Sequence, residues 1–263
     1  MTGLVAAASS NGILRLTLND PQTRNSLSEA MMKALHGALD AAASDKAVRV
    51  IIIAATGPVY SSGHNLKELT SHRGDGDKGA AYFAKIFKAC AQLMLAIVRN
   101  PKPVIAEVQG LASAAGCQLV ASCDLAVASD AAGFCTPGVN IGLFCSTPMV
   151  ALSRNVAPKH AMEMLLTGDI ISAAEAHRLG LVNKVVTPNL LSEATEELAM
   201  KIAAKSQATL KIGKEAFYAQ AELPLDEAYA LTSRVMTENL LMRDAEEGIA
   251  AFIGKRHPNW SDE

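Results

Sequence analysis

The chain has 263 residues, of which 50% are hydrophobic and 19% are charged, a balance that excludes an intrinsically disordered protein. The formal net charge of −2 leaves no basic excess to attract nucleic acid or an anionic membrane surface. Aromatic residues make up only 4% of the chain, which argues against a platform for stacking nucleic-acid bases.

The cysteines and the N-terminus bear on the compartment. The cysteine count is odd and no C-x-x-C pair occurs, so we expect reduced, mostly buried thiols in a cytosol-like compartment. The first eleven residues carry no Lys or Arg, and we expect no apolar run of the roughly 18 residues that a membrane span needs. We therefore expect a cytoplasmic protein, with the mitochondrial matrix as the alternative if a presequence has been removed. The cysteines are Cys90, Cys117, Cys123, Cys135 and Cys145.

Strand and helix signals alternate through residues 1–187. Ile13–Leu18 alternates apolar and polar residues, which predicts a half-buried strand. Residues 48–54 form a β-branched run typical of a strand buried on both faces. A polar, Gly-rich stretch at 71–79 is predicted to be mobile, and apolar residues at helical spacing from Phe83 to Ile97 predict a helix. The same criteria predict a helix opened by residues 26–28, a strand at Val104–Val108, a helix at 112–122 and a strand at 124–128.

Strand signals vanish after Pro188. Four helices are predicted there, at residues 190–204, 207–219, 225–242 and 245–253. We therefore predict two regions, an α/β core at 1–187 and a helical region at 188–263. No flexible linker separates them, so we expect the helices to pack on the core or on a neighbouring subunit.

Two segments place small residues at a strand-to-helix turn. They are residues 58–67 (PVYSSGHNLK) and 110–118 (GLASAAGCQ). Backbone N–H groups at the start of a helix lack intrahelical acceptors, so such turns bind anions and stabilise oxyanions. The alternative interpretation is that the small residues allow close packing, and either segment alone leaves that alternative open.

The two segments together resemble the crotonase superfamily of enoyl-CoA hydratases and isomerases, and the resemblance covers nearly the whole chain. Residues 61–64 (SSGH), 114–118 (AAGCQ) and 142–148 (GLFCSTP) narrow the resemblance to one branch of the superfamily. Further motifs that match the superfamily are NDPQTRNSL at 19–27, VQG at 108–110, CDLA at 123–126, TPG at 136–138, AMEMLLTG at 161–168 and AEEGIAAF at 245–252.

The resemblance implies an α/β fold of the ClpP/crotonase type, a spiral of ββα repeats followed by a helical C-terminal trimerisation region. It implies a homotrimer or a dimer of trimers, an acyl- or enoyl-CoA ligand, and neither nucleic-acid nor membrane binding. No separate cofactor or metal is expected, because coenzyme A enters as part of the substrate. By motif, the oxyanion-hole N–H groups belong to His64 and Ala115. The implied CoA-binding residues are Arg24, Ser26, Leu27, Ser62, His64, Asn65 and Leu66. Phe252 and Lys255 near the C-terminus match positions that can reach the CoA of a neighbouring subunit.

The chain departs from the resemblance at the acid–base positions. The hydratases use two glutamates, one to take a proton from water and one to give a proton to carbon. By motif these positions hold Gln118 and Gly138, neither of which titrates near neutral pH. General acid–base catalysis contributes about 10²–10⁴-fold per group. The conventional label would be enoyl-CoA hydratase, a lyase of fatty acid metabolism, but we expect hydration of 2-enoyl-CoA to be weak.

Two side chains are candidates to replace the glutamates. Cys145 would act as a base or nucleophile if its pKa were lowered, and the alternative is a small buried apolar residue. The ring of His64 would act as an acid or base, although the motif uses its N–H and the ring can point elsewhere. We expect Asp124 and Glu107 to serve structure. Three functions remain open: a hydratase or isomerase with an unrecognised base, another CoA-enolate or thioester reaction such as decarboxylation or hydrolysis, and a non-catalytic acyl-CoA binder.

Overall fold

Strands and helices alternate along residues 3–262, which are the residues that the computed structural model describes. The strands are Val5–Ser10 (β1), Ile13–Leu18 (β2), Val50–Ala55 (β3), Val59–Ser61 (β4), Val104–Val108 (β5), Leu111–Ser113 (β6), Leu125–Ser129 (β7), Gly133–Cys135 (β8), Ile171–Ser172 (β9) and Lys184–Val186 (β10). The helices are Glu29–Ser44 (α1), Leu66–Ser71 (α2), Ala80–Val98 (α3), Ala115–Ser122 (α4), Pro148–Leu152 (α5), Pro158–Thr167 (α6), Ala173–Arg178 (α7), Leu191–Ala203 (α8), Gln207–Gln220 (α9), Leu225–Leu240 (α10) and Arg243–Ile253 (α11).

The strands form two sheets. The larger has the order β1-β2-β3-β5-β7-β10, with β1 antiparallel to β2 and the other neighbours parallel. The smaller has the order β4-β6-β8-β9, with β4, β6 and β8 parallel. Carboxyl ends of parallel strands meet at one edge of a sheet, so the segments after β4, β6 and β8 are brought together.

Strand β3 confirms the prediction of a strand buried on both faces. Ile51 and Ile53 pack into the main apolar core, and Val50, Ile52 and Ala54 pack into a second core under α8. The β-branched run suits this position because it offers apolar surface to both layers.

The prediction of a helix at 112–122 is wrong at its start. Leu111–Ser113 is strand β6, and α4 begins only at Ala115. Between them Ala114 takes φ 50° and ψ −115°, which turns the chain from strand to helix. The small side chains that favour a tightly packed helix also allow the close approach that a short parallel strand requires.

The stretch at 71–79 that is predicted to be mobile contains regular structure and specific contacts. Helix α2 ends at Ser71, and a 3-10 turn follows. The His72 ring stacks on Tyr82 with a centroid separation of 3.5 Å. The Asp77 carboxylate accepts hydrogen bonds from the backbone N–H groups of Gly79 and Ala81 at the start of α3. The polar composition of this segment therefore serves helix capping and side-chain stacking.

Helix α3 corrects the expectation that no apolar run reaches the length of a membrane span. Its 19 residues have a mean hydropathy of 1.5, so by length and composition alone it is a candidate span, which is weak evidence for a membrane. One stripe of the helix packs on the core. That stripe consists of Ile86, Cys90, Leu93, Met94 and Ile97.

The four C-terminal helices lie where the sequence predicts them. Helix α8 covers one face of the larger sheet. Helix α9 is tied to the core by Lys214, whose Nζ donates to Asp124 Oδ2 at 2.7 Å and to the carbonyl oxygens of Ile97 and Lys102. Tyr218 donates to the other carboxylate oxygen of Asp124 at 2.8 Å. Asp124 thus joins the helical region to the core.

Candidate active site

The candidate site lies at the carboxyl ends of β4, β6 and β8. Residues 62–66 follow β4, 114–118 follow β6, and 136–145 follow β8. The Ala114 N–H donates to the Cys135 carbonyl at 2.9 Å, which joins the second segment to the third. The two small-residue segments of the sequence are therefore neighbours in space.

Gly63 and Ala114 set the distance between the first two segments. Gly63 has φ +84°, and a Cβ on it would lie 3.0 Å from Ala114 Cβ, 3.0 Å from the Ser113 carbonyl oxygen and 3.2 Å from Ala115 N. Glycine is required there for both its φ and the close contact. Ala114 also has a positive φ, a strained conformation of the kind found at functional sites. Gly63 and Ala114 directly precede the two predicted oxyanion-hole donors.

The N–H groups of His64 and Ala115 form no hydrogen bond with any group in residues 3–262. Ala115 is the first residue of α4, so its N–H has no acceptor within the helix and lies at the positive end of the helix dipole. Because Gly63 packs against Ala114 and Ala115, the two N–H groups are adjacent. This arrangement is suited to holding a carbonyl oxygen on which negative charge develops.

The predicted CoA-binding residues border this pair of donors. The Ser62 N–H donates to the Arg24 carbonyl at 3.0 Å, and the Leu27 N–H donates to the Gly63 carbonyl at 2.8 Å. The Leu27 side chain is fully buried, so only its backbone faces the site. Ser26, in the same segment, donates its hydroxyl to Thr23 Oγ1 and is also buried.

The groove beside α2 adds a residue that the sequence analysis missed. Asn65 caps α2 by accepting from the N–H groups of Lys67 and Glu68. An open groove of about 450 Å³ lies along this helix. Lys67 supplies a positive charge to this groove. Its position in the first turn of α2, two residues after Asn65, could have indicated this from the sequence. The lining residues are Leu66, Lys67, Thr70 and Ser71.

Gln118 lies three residues after Ala115, on the same face of α4. Its side chain is only 5% exposed, and its Oε1 accepts a hydrogen bond from the Cys90 thiol with an S···O distance of 3.7 Å. Burial raises the pKa of Cys90 to about 12, so this thiol is protonated and acts as the donor. The Gln118 Nε2 forms no hydrogen bond within residues 3–262. Its two N–H donors are free for a ligand.

Gly138 has no room for a side chain. A Cβ at this position would lie 2.8 Å from the Leu143 carbonyl oxygen, 2.9 Å from Cys145 Sγ and 3.3 Å from Cys145 N. The loop closes on itself here, because the Leu143 N–H donates to the Gly138 carbonyl at 2.9 Å. The Cys145 sulfur therefore occupies the space into which a side chain at 138 would extend.

Cys145 is 7% exposed, and its Sγ lies against the Gly138 backbone. Burial raises the pKa of the Cys145 thiol although the Gly138 N–H lies close by, so the thiol is protonated at neutral pH. That state disfavours the roles of base and nucleophile and leaves the S–H as a proton donor. The thiol donates no hydrogen bond to a group in residues 3–262.

The His64 ring packs against α3. Its Nδ1 lies 3.4 Å from the Leu27 carbonyl oxygen, and its edge meets the Phe87 ring at a centroid distance of 5.4 Å. Its Nε2 is buried and has no hydrogen-bond partner within residues 3–262. Burial lowers the pKa of His64, so the ring is neutral. The backbone of His64 thus faces the site while its ring is enclosed.

Phe252 and Lys255 lie away from this site. Phe252 is 85% exposed near the end of α11, a helix that packs on α9 and α10. Lys255 follows directly after that helix. This single chain does not bring either residue to the paired N–H groups.

Comparison with known proteins shows the family. The family model described as enoyl-CoA hydratase/isomerase matches residues 8–263. The chain belongs to this family. It is 52% identical to human enoyl-CoA hydratase domain-containing protein 3, over 96% of this chain and 82% of that protein. The solved structure of that human protein has a TM-score of 0.93 and 51% identity, covering 98% of this chain and 100% of the other. The structure of a Mycobacterium smegmatis enoyl-CoA hydratase has a TM-score of 0.93 and 48% identity, covering 98% of each chain.

These findings confirm two predictions and contradict a third. The crotonase-type fold is confirmed, and the expected branch of the superfamily, that of enoyl-CoA hydratase domain-containing protein 3, is confirmed as well. The expectation of a cytoplasmic protein is wrong, because the relatives of this branch from rat, human, frog, mouse and zebrafish are named as mitochondrial proteins. Thiols stay reduced in several compartments, so cysteine usage alone did not distinguish them.

Proposed function

We propose that this member of the enoyl-CoA hydratase/isomerase family binds a CoA thioester with its carbonyl oxygen between the N–H groups of His64 and Ala115. The observation that carries the proposal is the pair of unused donors held side by side by Gly63 and Ala114. A thioester enolate carries its charge on this oxygen, and removing one such donor typically costs about 10²–10³ in rate.

The rest of the ligand follows the neighbouring segments. The CoA portion runs past Arg24 and Ser62 and along the α2 groove. Lys67 offers a positive charge there, which suits the phosphate groups of coenzyme A. Leu66, half exposed at the same groove, supplies apolar contact.

Hydration of a 2-enoyl thioester is weak in this proposal. The Gln118 amide does not titrate, and its oxygen is already engaged by Cys90. Gly138 has neither a side chain nor space for one. With no group to take a proton from water, the site polarises the thioester without activating a nucleophile.

Isothermal titration with butyryl-CoA and infrared spectroscopy of its thioester carbonyl test the proposal. We expect saturable binding, a carbonyl stretch shifted to lower frequency, and only background loss of enoyl absorbance with crotonyl-CoA. Gly63→Ala pushes the two donor segments apart and should abolish the carbonyl shift. Gly213→Ala is the matched control, because a Cβ at Gly213 in α9 meets nothing within 4 Å. An unshifted carbonyl in the wild-type protein, or turnover of crotonyl-CoA in the usual range of about 1–10³ s⁻¹, contradicts the proposal.

We also propose that the chain works as a homotrimer or a dimer of trimers. Helices α9–α11 expose large apolar side chains to an extent that a free surface seldom shows. Sedimentation-velocity measurement of the mass in solution tests this, and a monomer would contradict it. The exposed side chains are Phe217, Leu225, Tyr229, Met236, Leu240, Leu241, Ile249, Phe252 and Ile253.

A further inference from the structure

The site contains donors and no base. The N–H groups of His64 and Ala115, the amide N–H groups of Gln118 and the thiol of Cys145 are all without acceptors within residues 3–262. The His64 ring is not placed to act as a base, because its Nε2 is buried and the ring packs against Phe87. An enolate formed by removing a proton from carbon needs a base, so this site requires an enolate that forms in another way.

We propose that the substrate is a 2-carboxyacyl-CoA thioester of the malonyl type, which the site decarboxylates, with Cys145 as the proton donor to the resulting enolate. This inference rests on the proposed function, because the enolate oxygen is held by the same two backbone N–H groups. Loss of CO₂ generates the enolate without a base, which matches the groups that the site offers.

Gln118 is the residue that recognises the carboxylate. Side chains of a helix lean towards its N-terminus, so the amide of Gln118 lies beneath the Ala115 N–H one turn earlier. The Cys90 thiol holds the amide oxygen on the far side, which orients Nε2 as a donor. A side chain that is 5% exposed and has both N–H groups unused is suited to a buried acceptor, and a carboxylate next to the thioester carbonyl is such an acceptor.

Cys145 is the residue that completes the reaction. Its sulfur stands where a side chain at 138 would begin, which is one of the two positions that hold glutamate in the hydratases. The sulfur is packed against the Gly138 backbone, and the S–H proton is left for transfer. A protonated thiol in this place supplies a proton to carbon, whereas it does not activate water.

The step balances without an oxidant or a reductant. The bond between the carboxylate carbon and Cα breaks, its electron pair forms the enolate, and CO₂ leaves. The enolate oxygen is stabilised by the N–H groups of His64 and Ala115. Cα then takes the proton of the Cys145 thiol, and the thiolate regains a proton from solvent. The products are CO₂ and an acyl-CoA with one fewer carbon.

The probe is methylmalonyl-CoA in D₂O, followed by mass spectrometry at times short compared with solvent exchange of its Cα proton. We expect propionyl-CoA with one deuterium at Cα, as a single enantiomer. If butyryl-CoA binds with a shifted carbonyl stretch but methylmalonyl-CoA and malonyl-CoA are both left intact, this inference is overturned and the proposed function stands. If butyryl-CoA does not bind at all, both are overturned.

Variants of Cys145 test the proton donor. We expect Cys145→Ala to slow decarboxylation by about 10²-fold or more and to give racemic deuterium label, because solvent then reaches the enolate from either face. Cys145→Ser should recover part of the rate and the single enantiomer. Cys123→Ala is the matched control, because Cys123 is also 7% exposed but donates to the Leu119 carbonyl away from the site. A Cys145→Ala protein with wild-type rate and stereochemistry overturns the assignment of Cys145.

Discussion

Restoring the second glutamate by Gly138→Glu should fail to create a hydratase. The first atom of the new side chain would lie 2.8 Å from the Leu143 carbonyl oxygen and 2.9 Å from Cys145 Sγ. Both distances are shorter than a Cβ tolerates, and the first involves backbone that is held by the Leu143 N–H bond to the Gly138 carbonyl. The loop must therefore move before any carboxylate reaches the substrate.

The magnitude follows from overpacking. A methyl group inserted into a closed site costs about 1–3 kcal/mol, so Gly138→Ala alone should lower the free energy of unfolding by that amount. For a chain of this size the shift in Tm is roughly 2–4 °C per kcal/mol. Removing Cys145 Sγ relieves one of the two close contacts. The double variant Gly138→Ala with Cys145→Ala should therefore be less destabilised than the sum of the two single variants.

Urea unfolding of the four proteins of this cycle measures the coupling, and loss of enoyl absorbance with crotonyl-CoA measures hydration. Gln118→Glu combined with Gly138→Glu should stay near background. A stable Gly138→Ala protein with unchanged unfolding, or a large gain of hydration in the double glutamate variant, would refute the steric argument.

Three further predictions concern stability, each measured by urea unfolding. Lys214→Met should lower the free energy of unfolding by about 3 kcal/mol, because it leaves the partly buried Asp124 carboxylate without its cation. The control Lys85→Met removes an exposed ion pair and should lower it by less than about 1 kcal/mol. Equal losses in the two variants would contradict this prediction. Burial raises the pKa of the Cys90 thiol to about 12, so its contribution to the free energy of unfolding is complete below about pH 8. It falls as the pH rises towards 12, by about 1–2 kcal/mol at pH 10. Cys90→Ala should make the free energy of unfolding fall less steeply with pH in the alkaline range. An unchanged dependence on pH would contradict the assignment to Cys90. Ala114→Gly should raise stability by about 1 kcal/mol by relieving its positive φ, and a loss of stability would show that the residue is not strained.

Residues that repeat at a clear period could be placed from the sequence. The β-branched run of β3 and the long amphipathic helices α9 and α10 were predicted within a few residues, because burial of a periodic face dominates their conformation. The two donor segments were also located, because small residues at a strand-to-helix turn were combined with the resemblance to the crotonase superfamily. Short strands such as β6 were missed, because three residues carry no period and their pairing partners are distant in sequence.

The chemistry of the site depends on contacts that no local pattern encodes. The bond from Cys90 to Gln118 joins residues 28 positions apart and decides which end of the amide faces the site. The closure of the loop on Gly138 is likewise visible only in three dimensions, because it depends on the path from Leu143 to Cys145. The resemblance predicts that these positions depart from the hydratases, and the structure shows what surrounds each of them.

A site built from backbone donors can change its chemistry without losing its ligand. Here Gly63 and Ala114 position the two N–H groups, and neither contributes a side chain to a reaction. Gln118 follows Ala115 by three residues on α4, and Gly138 lies on a separate turn. In the proposed function, replacing their side chains alters which proton transfers are available without removing the two backbone donors. If the proposed function holds, the pair of backbone donors alone is therefore no evidence for hydratase activity. It also means that carbonyl polarisation and proton transfer must be measured independently, the first with an unreactive thioester and the second with a substrate that supplies its own enolate.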